Sequence, residues 1–116
     1  MTEKVYTWHK LAVSLEVLGL PPQGLMETEI AGKNICIALV KNKLYACTAM
    51  CPHAGGRMAS GYTDALGNIV CPAHRYKFDL KNGRNTSGEG YYLKTFPIEM
   101  LHDGIFIGFE NNVIPG

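Results

Sequence analysis

Two short stretches of this chain carry residues suited to binding metal. The first is Cys51-Pro52-His53 and the second is Cys71-Pro72-Ala73-His74, with seventeen residues between them. Each offers one thiolate and one imidazole, and each opens on a Cys-Pro pair. Two soft sulfur ligands and two borderline nitrogen ligands suit zinc or an iron–sulfur centre. Spacing weighs against zinc, because zinc knuckles commonly place about two to four residues between paired ligands. Here one residue separates the first pair, short of that spacing, while two separate the second.

The combination Cys-x-His with Cys-x2-His resembles the Rieske pattern, in which two Cys hold one iron of a [2Fe–2S] cluster and two His hold the other. The resemblance runs past the ligands. Residues 51–61, CPHAGGRMASG, are similar to the first cluster loop of a Rieske ferredoxin, and residues 71–83, CPAHRYKFDLKNG, to the second. It covers nearly the whole chain and is strongest over residues 44–85. It implies one cluster held by Cys51, His53, Cys71 and His74, with His53 and His74 at the surface as the electron exit. The implied role is that of a soluble one-electron carrier, not an enzyme, linking a flavin-dependent reductase to a terminal oxygenase. Two other readings stay open: a small Rieske subunit of a multi-subunit oxidoreductase of the oxygenase or nitrite reductase type, and a zinc-held interaction module.

Four positions depart from the high-potential members of that family. Those proteins join the two loops by a disulfide, at positions that here hold Gly56 and Ala73. They also donate a Ser hydroxyl to a bridging sulfide where this chain has Tyr76, and Arg75 replaces the common Gly. Fewer donors place the expected potential at the low end of the Rieske range, roughly −150 mV. Gly55 and Gly56 are expected to turn the first loop tightly and bring N–H groups near the sulfides. Arg57, Arg75 and Lys77 would make the tip mildly basic and guide docking.

Composition sets the bounds. A chain of 116 residues is one domain. It is 47% hydrophobic, which excludes disorder as the main state. Residues 1–50 carry five Lys/Arg against four Asp/Glu, and residues 51–116 carry six against six. That balance gives no footprint for nucleic acid or an anionic membrane. No apolar run is long enough to span a bilayer, and the first residues form no export signal, so a cytoplasmic setting is expected. The remaining cysteines, Cys36 and Cys47, sit in apolar strand patterns and read as buried small hydrophobes.

The elements that must position the ligands read as strands. Residues 4–11 alternate and form a first strand. Ser14 caps one short helical turn, and Pro21 and Pro22 end regular structure. Residues 25–31 and 34–40 pair around Gly32-Lys33-Asn34, and 43–48 follow Lys41-Asn42-Lys43. Further short strands are expected at Tyr62-Thr63, 69–70, 76–80 and 84–86, then 92–100 and 105–109. His9 and His102 read as ordinary surface or satisfied residues. The architecture expected from the resemblance is all-β: an antiparallel β-sandwich base of a single domain, 1–116, with a small inserted cluster-binding lobe at about 47–85.

Overall fold

A computed structural model describes residues 5–52, 55–73, 75–87 and 90–111. Ten strands lie in these residues, arranged as three antiparallel sheets. The base is formed by β1 (Tyr6–Ala12), β10 (Gly104–Glu110) and β9 (Ile98–Leu101), in the order β1-β10-β9. The middle sheet is β2 (Leu25–Ile30), β3 (Lys33–Val40), β4 (Lys43–Thr48) and β8 (Thr95–Phe96), in that order. The lobe is β5 (Tyr62–Thr63), β6 (Asn68–Val70) and β7 (Lys77–Asp79).

The middle sheet is buried on both faces, and this explains the apolar run in β3. Ile35 and Ile37, with Leu44 and Ala46 of β4, pack against Ile105, Ile107 and Phe109 of the base. The alternate residues, Cys36, Ala38 and Cys47, face the other way and pack with Met58, Ile69, Phe78, Leu80 and Leu93. A strand with one wet face alternates apolar and polar; one covered on both sides reads as a continuous apolar run. Each large apolar side chain in these two cores contributes about 1.5–3 kcal/mol by leaving water.

Two-residue turns fix the hairpins. Ala31-Gly32 joins β2 to β3 and Lys41-Asn42 joins β3 to β4, all four with positive φ between 50° and 81°. Positive φ at both central residues matches the right-handed twist of the flanking strands. The first turn therefore sits earlier than the expected Gly32-Lys33-Asn34; Lys33 and Asn34 already belong to β3. Ser14 caps α1 (Leu15–Leu18) as expected, its Oγ accepting from the Val17 N–H at 3.2 Å.

The long strand expected at 92–100 is broken at Pro97. Phe96 pairs with β4 in the middle sheet, whereas Ile98 pairs with β10 in the base. Proline has no N–H for a ladder, so the chain changes sheets there. Residues 84–86 make isolated bridges, Phe78 with Asn85 and Arg84 with Tyr92, but no strand.

Candidate metal centre

Both ligand stretches are the tips of hairpins of one design. The first, residues 51–56, is closed by an antiparallel bridge between Met50 and Arg57. The second, residues 71–76, is closed by the pairing of Val70 with Lys77. Each tip is six residues long and starts with Cys-Pro. The Cys51 N–H donates to the Gly56 carbonyl at 2.7 Å, and the Gly55 N–H donates to the Cys51 carbonyl at 3.0 Å. In the second tip the Cys71 N–H donates to the Tyr76 carbonyl and the Arg75 N–H to the Cys71 carbonyl, both at 2.9 Å.

The fifth residue of each tip is left-handed: Gly55 at φ 68° and Arg75 at φ 58°. Glycine reaches that conformation freely, whereas an L-residue is strained by about 1–2 kcal/mol. The sequence held the signal for this: aligning the two Cys-Pro starts sets Arg75 opposite Gly55. The expectation for the Gly55 N–H changes accordingly. It closes the loop on Cys51 and is not spare for a sulfide.

Cys51 and Cys71 are 3% and 0% exposed and lie in one apolar cluster with Met58, Phe78 and Leu93. The loops touch directly. A Cβ built on Gly56 would stand 3.2 Å from the Cys71 Sγ and 3.2 Å from the Ala73 Cβ. The bare Cα of Gly56 thus lets the first loop lie beside the second thiol. All four cysteines are free thiols, so this contact joins the loops without a disulfide. His53 and His74 lie outside the described residues. Among the described residues no three His, Cys, Asp or Glu side chains gather as a metal site.

The frame beneath the loops has its own brace. One Asp64 carboxylate oxygen accepts from the N–H groups of Leu66 and Asn68, and the other accepts from the Asn68 Nδ2, each at 3.0 Å. Burial would raise its pKa. The Asn68 and Leu66 donors and the Lys77 ammonium outweigh this and hold the carboxyl below the usual carboxylate range. Cys47 moves the other way: the Cys36 thiol opposite it, and then burial, push it well above the ordinary thiol value. This pair is a packed, unreactive part of the core. His9 packs its ring on Phe109 at 5.1 Å, an ordinary structural role.

The expected basic tip is largely neutralised. Arg57 Nη1 binds Glu27 Oε2 at 2.6 Å, and Lys77 Nζ lies 4.0 Å from Asp64 Oδ2. Arg75 is exposed and forms no ion pair among the described residues.

Two buried thiols brought together on matched loops, each loop with one imidazole in its sequence, form a donor set suited to an iron–sulfur cluster. The family model of the Rieske [2Fe-2S] domain matches residues 7–97. The chain belongs to the Rieske family. One Rieske cluster is therefore its cofactor, and the chain is an electron carrier, not a catalyst. It is similar to the ferredoxin component of the naphthalene 1,2-dioxygenase system of Pseudomonas aeruginosa, 28% identical over 108 residues, which covers 92% of this chain and 97% of that protein. The fold is shared with a ferredoxin solved in complex with the oxygenase of carbazole 1,9a-dioxygenase, at a TM-score of 0.75 and 20% identity, over 92% of this chain and 97% of that one. A Mycobacterium tuberculosis protein assigned as an NADH-dependent nitrite reductase small subunit also shares this fold, at a TM-score of 0.78 and 14% identity, over 90% and 96% of the two chains.

Proposed function

We propose that this Rieske protein is the ferredoxin of an oxygenase system, taking one electron at a time from a flavin-dependent reductase and delivering it to a terminal oxygenase. Cys51 and Cys71 would hold one iron, and His53 and His74 would hold the other. The cluster supplies a one-electron couple when bound. The chain's own residues shape its setting: Gly56 gives the second thiol room, the loop hydrogen bonds keep the backbone fixed, and the core around Met58 and Phe78 excludes water from the sulfur side. The observation that carries this reading is the pair of six-residue loops, closed alike, whose thiols meet in one buried cluster.

The whole chain, 1–116, is read as a single Rieske domain with its cluster-binding lobe at about 47–85. No helix among the described residues is long and apolar enough to cross a membrane. The setting proposed is cytoplasmic.

The test is an optical spectrum and a reduced-state EPR spectrum of freshly purified protein, with iron, sulfide and zinc assays. A red-brown protein with about two irons and two sulfides, and the low average g of a His-ligated cluster, is expected. A colourless protein with one zinc, and no cluster after anaerobic reconstitution, would overturn the reading. Native mass then separates a free carrier from a bound subunit.

A further inference from the structure

We infer that Arg75 is the anion-recognising contact of the docking face at the cluster tip, and that the electron-transfer partner meets it with a carboxylate set in an apolar ring. This rests on the electron-carrier reading above. Three observations lead to it.

The first is the backbone at Arg75. Among the described residues four non-glycine residues have positive φ, and three of them, Ala31, Lys41 and Asn42, sit in two-residue hairpin turns that require it. Arg75 is the fourth, at a position where the matching loop uses Gly55. Glycine would satisfy the loop without strain, so the side chain is what the position gains. The second is charge. Of the three cations that the sequence places around the tip, Arg57 is tied to Glu27 and Lys77 faces Asp64. Arg75 alone of these three is exposed with no ion pair among the described residues.

The third is the surround. Met50 is 44% exposed, and Pro52, Pro72 and Ala73 are exposed as well. The Met50 Cε lies 3.7 Å from the place of a Gly55 Cβ, and the Ala73 Cβ lies 3.2 Å from that of Gly56. An exposed arginine on the same tip as the exposed Pro72 and Ala73 has the make-up of a binding hot spot. Its planar fork matches a carboxylate, and the apolar residues on its tip call for a protein face of like character, not a small free anion.

The test uses the cluster-loaded protein, reduced anaerobically, as wild type, Arg75→Gly and Arg75→Lys. Oxidation is followed by stopped flow with anionic ferricyanide and with cationic hexaammineruthenium(III), at rising ionic strength. For Arg75→Gly at low salt, the ferricyanide rate is expected to fall about 3- to 10-fold and to lose much of its salt dependence. Arg75→Lys should stay near wild type, and the ruthenium rate should not fall. Equal slowing with both probes would assign Arg75 to tuning the cluster and overturn the inference, as would unchanged rates. Loss of the cluster in Arg75→Gly would also overturn it, by assigning Arg75 to cluster retention. Iron, sulfide and EPR measurements come first. A wild type without a cluster removes the carrier reading and this inference together, whereas a coloured protein with unaltered rates removes the inference alone. The melting temperature of Arg75→Gly should equal or exceed that of wild type, which separates recognition from folding.

Discussion

Gly83 joins the lobe to the segment that returns the chain to the base, and replacing it by alanine should damage both. Its φ is +78°, and a Cβ there would overlap the Leu93 carbonyl oxygen and stand 2.8 Å from the carbonyl carbon. Both are backbone atoms and cannot swing aside. Gly67 supplies the control, because its φ is +87° with nothing within 4 Å of the added Cβ. Gly67→Ala should therefore cost only the left-handed strain, about 1 kcal/mol. Gly83→Ala carries the same strain and two further losses. The hydrogen bond from the Leu93 N–H to the Gly83 carbonyl, 2.8 Å long, contributes about 1 kcal/mol. Leu93 is buried beside Cys51 and Cys71, and drawing it from that core costs about 2 kcal/mol more. The expected totals are about 4 kcal/mol against about 1. For a chain of this size, 1 kcal/mol shifts the melting temperature by about 4 °C. Thermal scans of the cluster-loaded proteins at one fixed rate, read by far-ultraviolet circular dichroism and by visible bleaching, should place Gly83→Ala about 12 °C below Gly67→Ala. Melting temperatures within about 3 °C of each other would refute the close approach of Gly83 to Leu93.

Three other outcomes follow from the same geometry. Cys36→Ala and Cys47→Ala should keep a full complement of iron and sulfide at a cost of about 1–2 kcal/mol in stability, while Cys51→Ser and Cys71→Ser should lose the cluster; iron and sulfide assays decide it. Asp64→Ala should destabilise the protein by about 1–3 kcal/mol near neutrality, measured by urea unfolding, through loss of its three hydrogen bonds. The Asp64 pKa is lowered in the folded state, so its contribution is present above the unfolded value of about 3.9 and is lost as pH falls through the folded value. The gap between wild type and variant should therefore narrow at strongly acid pH, and a constant gap would reject that account. Redox titration should give a potential near roughly −150 mV, and a value above about +100 mV would reject the argument from Gly56, Ala73 and Tyr76.

The candidate ligand stretches stood out in the sequence because their chemistry is local: a thiol, a proline and an imidazole a few residues apart need no knowledge of the fold. The apolar run at residues 35–40 was legible as a buried strand, and covering on both faces is the physical reason it runs unbroken. The Ala31-Gly32 turn was misplaced because alanine does not advertise a left-handed conformation. The break at Pro97 was missed because the residues around it, Phe96 and Ile98, look alike in sequence yet pair in different sheets. The pairing of Arg57 with Glu27 joins residues 30 apart in sequence, so a charge count at the tip overstated how basic it is. The contact of Gly56 with the Cys71 thiol is likewise a meeting of two loops that only the folded chain brings about.

The matched closure of the two loops bears on how freely the sequence at each tip can vary. Each tip is locked to its own stem by main-chain hydrogen bonds, and the thiols rest against a packed core. Those bonds ask nothing of the side chains between them. The exposed residues of the tips can therefore change with the partner while the frame that carries Cys51 and Cys71 keeps its shape.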